Sequence, residues 1–451
     1  MVYSFQKQYT LIAQTPMIHF QYGQAGATLR ATEVKPKLDK YLLECAKNDN
    51  IDRELLSQWS ALAPDKKTGP YTTFHYKMKI ERKGRPTDSK IAIEDCKFYF
   101  GNQGDNEKKD LVFNNCELQI TCFIPELMEF IDKHIGAFFV LHNFGTRQTK
   151  GFGGFRIKDQ SDEEIDAAIK SSKQLYFYAD IPDKDKTSVK NRLNHALTVY
   201  SIMKAGLNLT RYNENEKRYM YRGRYIKGFT MRPCLDKGVG SDKAFIKSKV
   251  HTPKPVDDQK NEALDRDYDE YVFIRALLGL SEKYEFRDRY RNNGLWERNG
   301  KLSYNPVGVD IINCPTNEDG SPKIDMNKPR TEIKELSKIQ RFASPVTIKI
   351  YQNKIYFLFN DSYKQMLNQS FLFLSFSKKG KVITYESISD CIRKKHYIST
   401  PKSFDMKDFI EKFISYYNDT ARVKLEAFVE RNAKYDNPYH NSKNLTLKKG
   451  W

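Results

Sequence analysis

An α+β fold is predicted by three features of this sequence. Strand-like and helix-like segments follow one another in the order β, α, β, β, α, β over residues 1–160. A glycine-rich stretch, GAFFVLHNFGTRQTKGFGGFRI (Gly136–Ile157), joins the second helix of that series to its last strand. The length, 451 residues, exceeds what one ordinary hydrophobic core organises, so at least two domains are expected. The order is the ferredoxin-like split βαβ pattern, also that of RRM domains.

Taken in turn, Tyr3–Gln14 reads as the first strand and stops at Thr15-Pro16. After an irregular, glycine-containing excursion, Pro36 suits the first position of a helix. Leu38, Tyr41, Leu42 and Cys45 share one face of it. A second helical piece covers Ile51–Trp59, and PDKKTGP is a turn cluster. Tyr71–Ile80, Ile91–Phe100 and Glu117–Ile124 read as strands. Pro125 opens a helix with Leu127, Met128, Ile131 and Ile135 on its apolar face, and Phe152–Ile157 closes the unit as a strand. Residues 161–235 read as a connecting segment: an acidic surface helix (Ser161–Lys170), a strand (Gln174–Ile181), a helix (Lys186–Ala205) and a basic-aromatic run. Residues 236–451 read as the second domain. It opens with a polar stretch (Lys237–Asp265), a long loop or the edge of the domain, carries a hairpin of Val346–Tyr351 with Lys354–Phe359 and a further strand or buried segment at Phe371–Phe376, and ends in helices at Phe404–Tyr417 and Ala421–Ala433.

Charge points to a polyanionic partner. Lys and Arg number 76 against 57 Asp and Glu, a formal charge of +19. Tyr and Phe, 28 each, add rings that stack on unpaired bases, a combination suited to single-stranded nucleic acid. The densest such run is Arg211–Arg232, with seven Lys/Arg, two Glu and four Tyr; RNA contact and plain solvated surface both fit it. The seven cysteines include no CxxC pair and no zinc spacing, which fits a reducing compartment. The first residues lack the apolar core of a signal peptide, and no apolar run approaches a membrane span. A cytoplasmic protein with no membrane association is expected.

Familiar catalytic signatures fail on inspection. The phosphate loop GxxxxGK[ST] does not fit Gly145 and Gly151, and GxGxxG fails because Gly151–Gly153 leads into a strand and not a helix. HExxH, GxSxG and the Gly-Gly-Asp-Asp cyclase signature are missing from the sequence. No metal or other cofactor is expected. Two readings of the glycine loop stay open. Its glycines, Gly145, Gly151, Gly153 and Gly154, let backbone approach a phosphate chain that Arg147 and Lys150 attract, or they make a tight turn before an edge strand. Arg30 and Lys35, ahead of the Pro36 helix, can join the same anionic track at a helix start. Of the histidines, His19 beside the first strand and His142 just upstream of the loop are candidates for metal-free RNA cleavage as general base or acid, against a purely structural role.

These residues resemble a known family. A helix leading into GTRQTKGFGGF and a strand resembles the glycine-rich loop of the RAMP superfamily, the repeat-associated RNA-binding proteins of CRISPR systems. The first strand ending in TP, followed by LRATEVKPKLDKYL, is similar to the family segment where an Arg and a Lys precede the first helix. Lys-Gly is usual there; here it is Lys35-Pro36, and Asp39 or Lys40 stands where a further Arg is usual. RALLGL (Arg275–Leu280) and RFASPV (Arg341–Val346) look like segments of one subtype, the first-numbered RAMP subunit of type III-B (Cmr) effector complexes. The resemblance implies tandem ferredoxin-like domains and a non-catalytic subunit at the end of an antiviral ribonucleoprotein. It implies contact with CRISPR guide RNA, target single-stranded RNA and other RAMP subunits. Its alternative within the superfamily is a metal-independent endoribonuclease that processes guide precursors, with His19 or His142 as the catalytic group. The C-terminal half shows no second glycine-rich loop.

Overall fold

The computed structural model describes residues 5–18, 28–62, 72–84, 90–91, 111–213, 218–232, 272–280, 283–286, 297–298, 301–302, 307–318, 321–324, 342–379, 382–385, 388–431 and 444–451. The first unit begins with β1 (Gln6–Ala13), α1 (Ala31–Asn48), α2 (Arg53–Trp59) and a small ladder of β2 (Ser60–Leu62) with β3 (Thr72–Phe74). It continues through β4 (Lys77–Arg82), β5 (Cys116–Thr121), α3 (Pro125–Leu141) and β6 (Phe155–Ile157). Its sheet runs β4-β5-β1-β6 with every neighbour antiparallel. Each long helix therefore links two strands that flank a third. Alternation decides which face is buried: Cys116, Leu118 and Ile120 of β5 point inward, with Glu117, Gln119 and Thr121 between them. Leu38 and Leu42 of α1 and Leu127, Ile131, Ile135 and Phe138 of α3 fill the core beneath.

Two details differ from the sequence reading. The helix expected from Pro36 starts at Ala31, with Arg30 at its N-cap and Pro36 in its second turn. Arg30 offers no side-chain cap, so proline was the strongest start signal available. The strand expected over Tyr71–Ile80 breaks at His75 and Tyr76, and its two pieces serve different sheets. Of the strand expected at Ile91–Phe100, only the Lys90–Ile91 ladder with Leu111–Val112 is described; most of it, and the Lys237–Asp265 loop, lie outside the described residues.

Then follow α4 (Asp162–Ser171), β7 (Leu175–Asp180) and α5 (Val189–Lys204). A hairpin of β8 (Leu207–Asn213) and β9 (Arg218–Ile226) contains most of the basic-aromatic run. After α6 (Ile274–Leu277) come β10 (Lys283–Phe286), β11 (Val307–Pro315), β12 (Val346–Ile350), β13 (Lys354–Phe359), β14 (Gln369–Lys379), β15 (Val382–Tyr385) and β16 (Tyr397–Ser399). The chain ends with α7 (Met406–Tyr416), a π-helical turn at Tyr417–Ala421, α8 (Arg422–Arg431) and β17 (Leu447–Lys449).

The second sheet runs β12-β13-β7-β17, again antiparallel throughout. Numbered within its own set, its strand order equals that of the first sheet: second, third, first, fourth. The strand β7 and helix α5, read from sequence as parts of a connector over 161–235, instead open this second set. Between α5 and β12 the chain inserts the β8–β9 hairpin, α6 and part of a third sheet, β10-β11-β14-β15, with β16 paired to β14.

The continuous apolar run KIYFLF in β13 reflects burial on both faces. Ile355 and Phe357 pack with Leu193 of α5, Phe413 of α7 and Leu425 of α8. Tyr356 and Leu358 pack on the opposite face with Val140 of α3 and Ile165 and Ile169 of α4. The end of α3 is thus caught between two sheets, which explains why GAFFVL is apolar almost all round. Among the described residues no helix is long and apolar enough to cross a membrane.

Candidate RNA-binding site

The glycine loop lies where α3 ends, β1 leaves its sheet and β12 of the second unit passes by. It is sewn into all three. Thr146 N–H donates to the Ile18 carbonyl (3.0 Å), Gly153 N–H to Pro16 (2.9 Å) and Phe144 N–H to Gly153 (2.9 Å). Gly154 N–H donates to Thr15 Oγ1 (2.8 Å), and Gly145 N–H to Glu33 Oε1 (2.6 Å) in the first turn of α1. Asn143 Nδ2 donates to the Gln148 carbonyl (2.7 Å) and across to Ile348 of β12 (2.9 Å).

The close approach that the glycines permit is therefore an approach to the protein itself. Gly153, at φ +73°, leaves no room for a Cβ against the Phe144 carbonyl. Gly151, at φ +85°, would place one 2.8 Å from Ile350 Cδ1. Both conformations are costly for any side chain, and both contacts are needed to close the loop. Of the two readings left open by the sequence, the geometry is that of a close-packed turn.

A second tie comes from β12. Lys349, 1% exposed, donates from Nζ to the carbonyls of Phe139 (3.3 Å) and His142 (2.7 Å) and to Asn143 Oδ1 (2.6 Å). A cation at the C-terminus of α3 meets carbonyls that no further helical turn would satisfy. Burial, with Lys37 nearby, drives this amine well below the usual lysine range. Tyr351 O–H adds a bond to the Val140 carbonyl (2.9 Å).

The expected cations separate into two groups. Arg30 at the N-cap of α1 and Arg147 in the loop, at φ +56°, are both exposed. The bond from Gly145 to Glu33 brings that helix start against the loop. Lys150 is half-buried, with its Nζ 3.2 Å above the centroid of the Tyr200 ring on α5. Lys35 points elsewhere. It lies inside α1, paired with Asp39 (2.9 Å), donating to the Phe74 carbonyl (3.1 Å) and lying over the Tyr76 ring. The lysine that does reach the loop is Lys37, which donates to the Asn143 carbonyl (3.1 Å) and Gln148 Oε1 (2.8 Å). Sequence reading named Lys35 and not Lys37; the two lie about 200° apart on the helix, and Lys37 is the one on the side of the loop.

Of the two candidate histidines, His19 lies outside the described residues. His142 follows α3 with its ring between Phe138 and Tyr41, at centroid distances of 4.6 and 5.5 Å. Nδ1 lies 2.9 Å from the Phe138 carbonyl, which requires the proton on that nitrogen in the neutral ring. Burial pushes its pKa down to about 4, and Lys349, Lys37 and Lys40 add to the shift. A ring with these properties is neutral near pH 7: a weak base and no proton donor of use. A separate pair, His195 Nε2 and Asp185 Oδ2 at 3.1 Å, is buried at the start of α5, where Asn191 also donates to Asp185 (2.7 Å). Among the described residues, no group of three His, Cys, Asp or Glu could hold a metal ion.

Comparison with known proteins finds the same family along both halves of the chain. Residues 5–207 match the Cmr1 N-terminal domain, and residues 224–435 match the Cmr1 C-terminal domain. No curated relative matches the chain. The two matches together span nearly the whole sequence. The chain therefore belongs to the Cmr1 family, the RAMP-type subunits of type III-B CRISPR effector complexes.

Proposed function

We propose that this protein is a non-catalytic, RNA-binding subunit at the end of a cytoplasmic type III-B effector, holding guide RNA, target single-stranded RNA or both beside other RAMP subunits. The observation that carries the reading is the placement of Arg30 and Arg147. Two exposed cations from distant parts of the chain stand at one junction, held there by the bond between Gly145 and Glu33. Arg147 and Lys150 contact phosphates, and Arg30 extends the track along the start of α1. Gly145, Gly151, Gly153 and Gly154 hold the loop in the shape that presents them. Lys35, paired with Asp39 and lying over the Tyr76 ring, stands outside this track. Base sequence is read by guide–target pairing, while the protein grips backbone and shape.

The architecture in this reading is a pair of ferredoxin-like domains in tandem. Its support is the shared strand order of the two sheets, each with one crossing helix after its first strand and helical structure after its third. The neutral, packed ring of His142 speaks for a structural histidine and against a nuclease.

The test is to incubate the purified chain with labelled single-stranded and repeat-hairpin RNA in EDTA, scoring binding and cleavage together. Salt-sensitive binding with intact RNA is expected. The Arg147→Ala, Lys150→Ala double variant should bind more weakly, with a log K against log salt slope shallower by roughly 1.4, about 0.7 per lost phosphate contact on a single strand. An unchanged slope removes the loop from the site. Cleavage at one position, abolished by His142→Ala or His19→Ala, makes the protein a processing nuclease instead.

A further inference from the structure

The face of the first sheet turned away from α1 and α3 is polar, and the register fixes what stands on it. Lys77 of β4, Thr121 of β5 and Gln6 of β1 form one row; Lys79, Gln119 and Gln8 form the next. Cys116, Leu118 and Ile120 of β5 point into the core, so these alternating rows point out of it. Lys77, Lys79 and Gln8 are exposed. Just past the first row, Cys122 N–H donates to the Phe5 carbonyl (2.8 Å), which carries the β1–β5 ladder one step further. There Phe5 and Phe123 stack, with ring centroids 5.4 Å apart and planes 22° from parallel.

These two rings are 50% and 74% exposed, whereas Phe74, Phe138, Phe139 and Phe144 of the same unit are at most 2% exposed. The pair therefore forgoes burial that its neighbours obtain. A patch two rings wide is far too small to seat a folded partner, whose interfaces cover about 800 Å² a side. It is the size of a base, and a flat ring face takes a base by stacking, whatever its identity. A cation stands beside it: Lys77 lies across from Thr121, two residues from Phe123. The carboxylates of this face, Glu81 and Glu117, lie further along the strands, where Lys79 and Lys83 hold them. Asp132, on the helix side, is held by Lys7 and Tyr9. Ring faces next to an exposed amine suit an unpaired nucleotide, with the base on the ring and the phosphate on the amine.

We propose that the Phe5–Phe123 pair is a stacking platform for one unpaired base of single-stranded RNA, with Lys77 on the adjoining phosphate. This rests on the RNA-binding reading above and extends it to the far end of β1. That strand runs for eight residues between the ring pair and the turn that meets the glycine loop, roughly 26 Å at about 3.3 Å per residue. The platform and the loop therefore hold different nucleotides.

The experiment measures affinity for labelled single-stranded RNA across a salt series in EDTA, for the wild type, Phe123→Ala, Phe123→Trp, Lys77→Gln and the Arg147→Ala, Lys150→Ala pair. Phe123→Ala should weaken binding about tenfold with an unchanged salt slope, because stacking releases no counterions. Lys77→Gln should flatten the slope by about 0.7. Phe123→Trp should keep its affinity, and RNA should quench fluorescence that the wild type lacks. The melting temperature should stay near that of the wild type in all three, since these side chains are exposed. A merely structural ring would lower the melting temperature on truncation and leave the new tryptophan unquenched. Should Phe123→Ala fold poorly, Phe123→Trp quenching and the Lys77→Gln slope decide. Wild-type binding that is weakened by the Arg147→Ala, Lys150→Ala pair but unaltered by Phe123→Ala and Lys77→Gln overturns the platform and leaves the loop reading intact. Full RNA affinity in Phe123→Ala, with assembly onto other RAMP subunits lost, makes the rings a protein contact and also overturns the platform. No binding by the wild type overturns both readings.

Discussion

His142 offers a perturbation whose size follows from its surroundings. In the fold its ring titrates near 4, against 6.5 for an ordinary histidine. Burial is the main cause, and the amines of Lys349, Lys37 and Lys40 add to it. The folded chain thus binds this proton less readily than the unfolded chain. Between these two values the unfolded state carries more protons, so stability falls as pH falls; above 6.5 the effect is absent, and below 4 it is complete. With one pKa unit worth about 1.4 kcal/mol, the loss is roughly 2 kcal/mol by pH 5 and roughly 3 kcal/mol by pH 4. His142→Asn keeps an N–H where Nδ1 meets the Phe138 carbonyl and removes the titration. It gives up ring packing against Phe138 and Tyr41, a cost of about 1–2 kcal/mol at pH 7. Urea unfolding of both proteins from pH 7 to pH 5 should therefore show the variant starting lower and the two curves converging. Parallel curves would refute the argument, as would an imidazole signal that titrates near 6.5 by NMR. The same measurement bears on chemistry, because a ring that stays neutral down to pH 5 cannot protonate a leaving oxygen at neutral pH.

Other outcomes follow from the loop and its clamp. Gly153→Ala forces a side chain into the Phe144 carbonyl at positive φ and should cost at least about 2 kcal/mol in thermal or urea unfolding. Gly154→Ala, with no positive φ and Thr15 Oγ1 at 3.1 Å, should cost far less, and equal losses would show that the loop is not packed as described. Lys349→Met strips three hydrogen bonds from the end of α3 and should destabilise by about 2–4 kcal/mol even though it removes a buried charge. Because it also takes a cation away from His142, the ring's pKa should rise, which NMR titration would detect.

The first unit was legible because its signals are local. Proline opens α3, alternation marks β5, and the glycines punctuate a helix-to-strand passage within a few residues. The second unit hid its plan. Its first strand, LYFYAD, is ordered by pairing with Lys354–Phe359, and no pattern within 161–235 announces a partner so far along the chain. The inserted hairpin and the first strands of the third sheet then separate α5 from β12, so the membership of β7 in the sheet of β12 and β13 is invisible to a linear reading. Side-chain roles were less legible still. Lys349 in VTIKIY looks like an edge-strand charge, and only the packing of α3 against β12 shows why an amine is buried there. Lys35 and Lys37 differ by two positions, which on a helix is about 200°, enough to send one to Asp39 and the other to the loop.

The glycines carry the last distinction. A loop that cradles phosphate with its backbone should leave N–H groups facing outward, and here those of Gly145, Gly151, Gly153 and Gly154 all end on atoms of the chain. Gly153 fits tightly against Phe144 within the loop and Gly151 against Ile350 of β12, so the loop they shape is a joint between the two halves. The charges that would meet RNA sit on side chains fixed by that joint: Arg147 in the loop, Lys150 on Tyr200 and Arg30 at the neighbouring helix start. The two roles separate under mutation. Replacing a glycine should lower stability and RNA affinity together, with the salt slope of the remaining folded fraction unchanged. Replacing a cation should leave the melting temperature nearly in place and flatten the slope. A glycine variant that stays fully stable yet loses slope would return the glycines to the RNA surface itself.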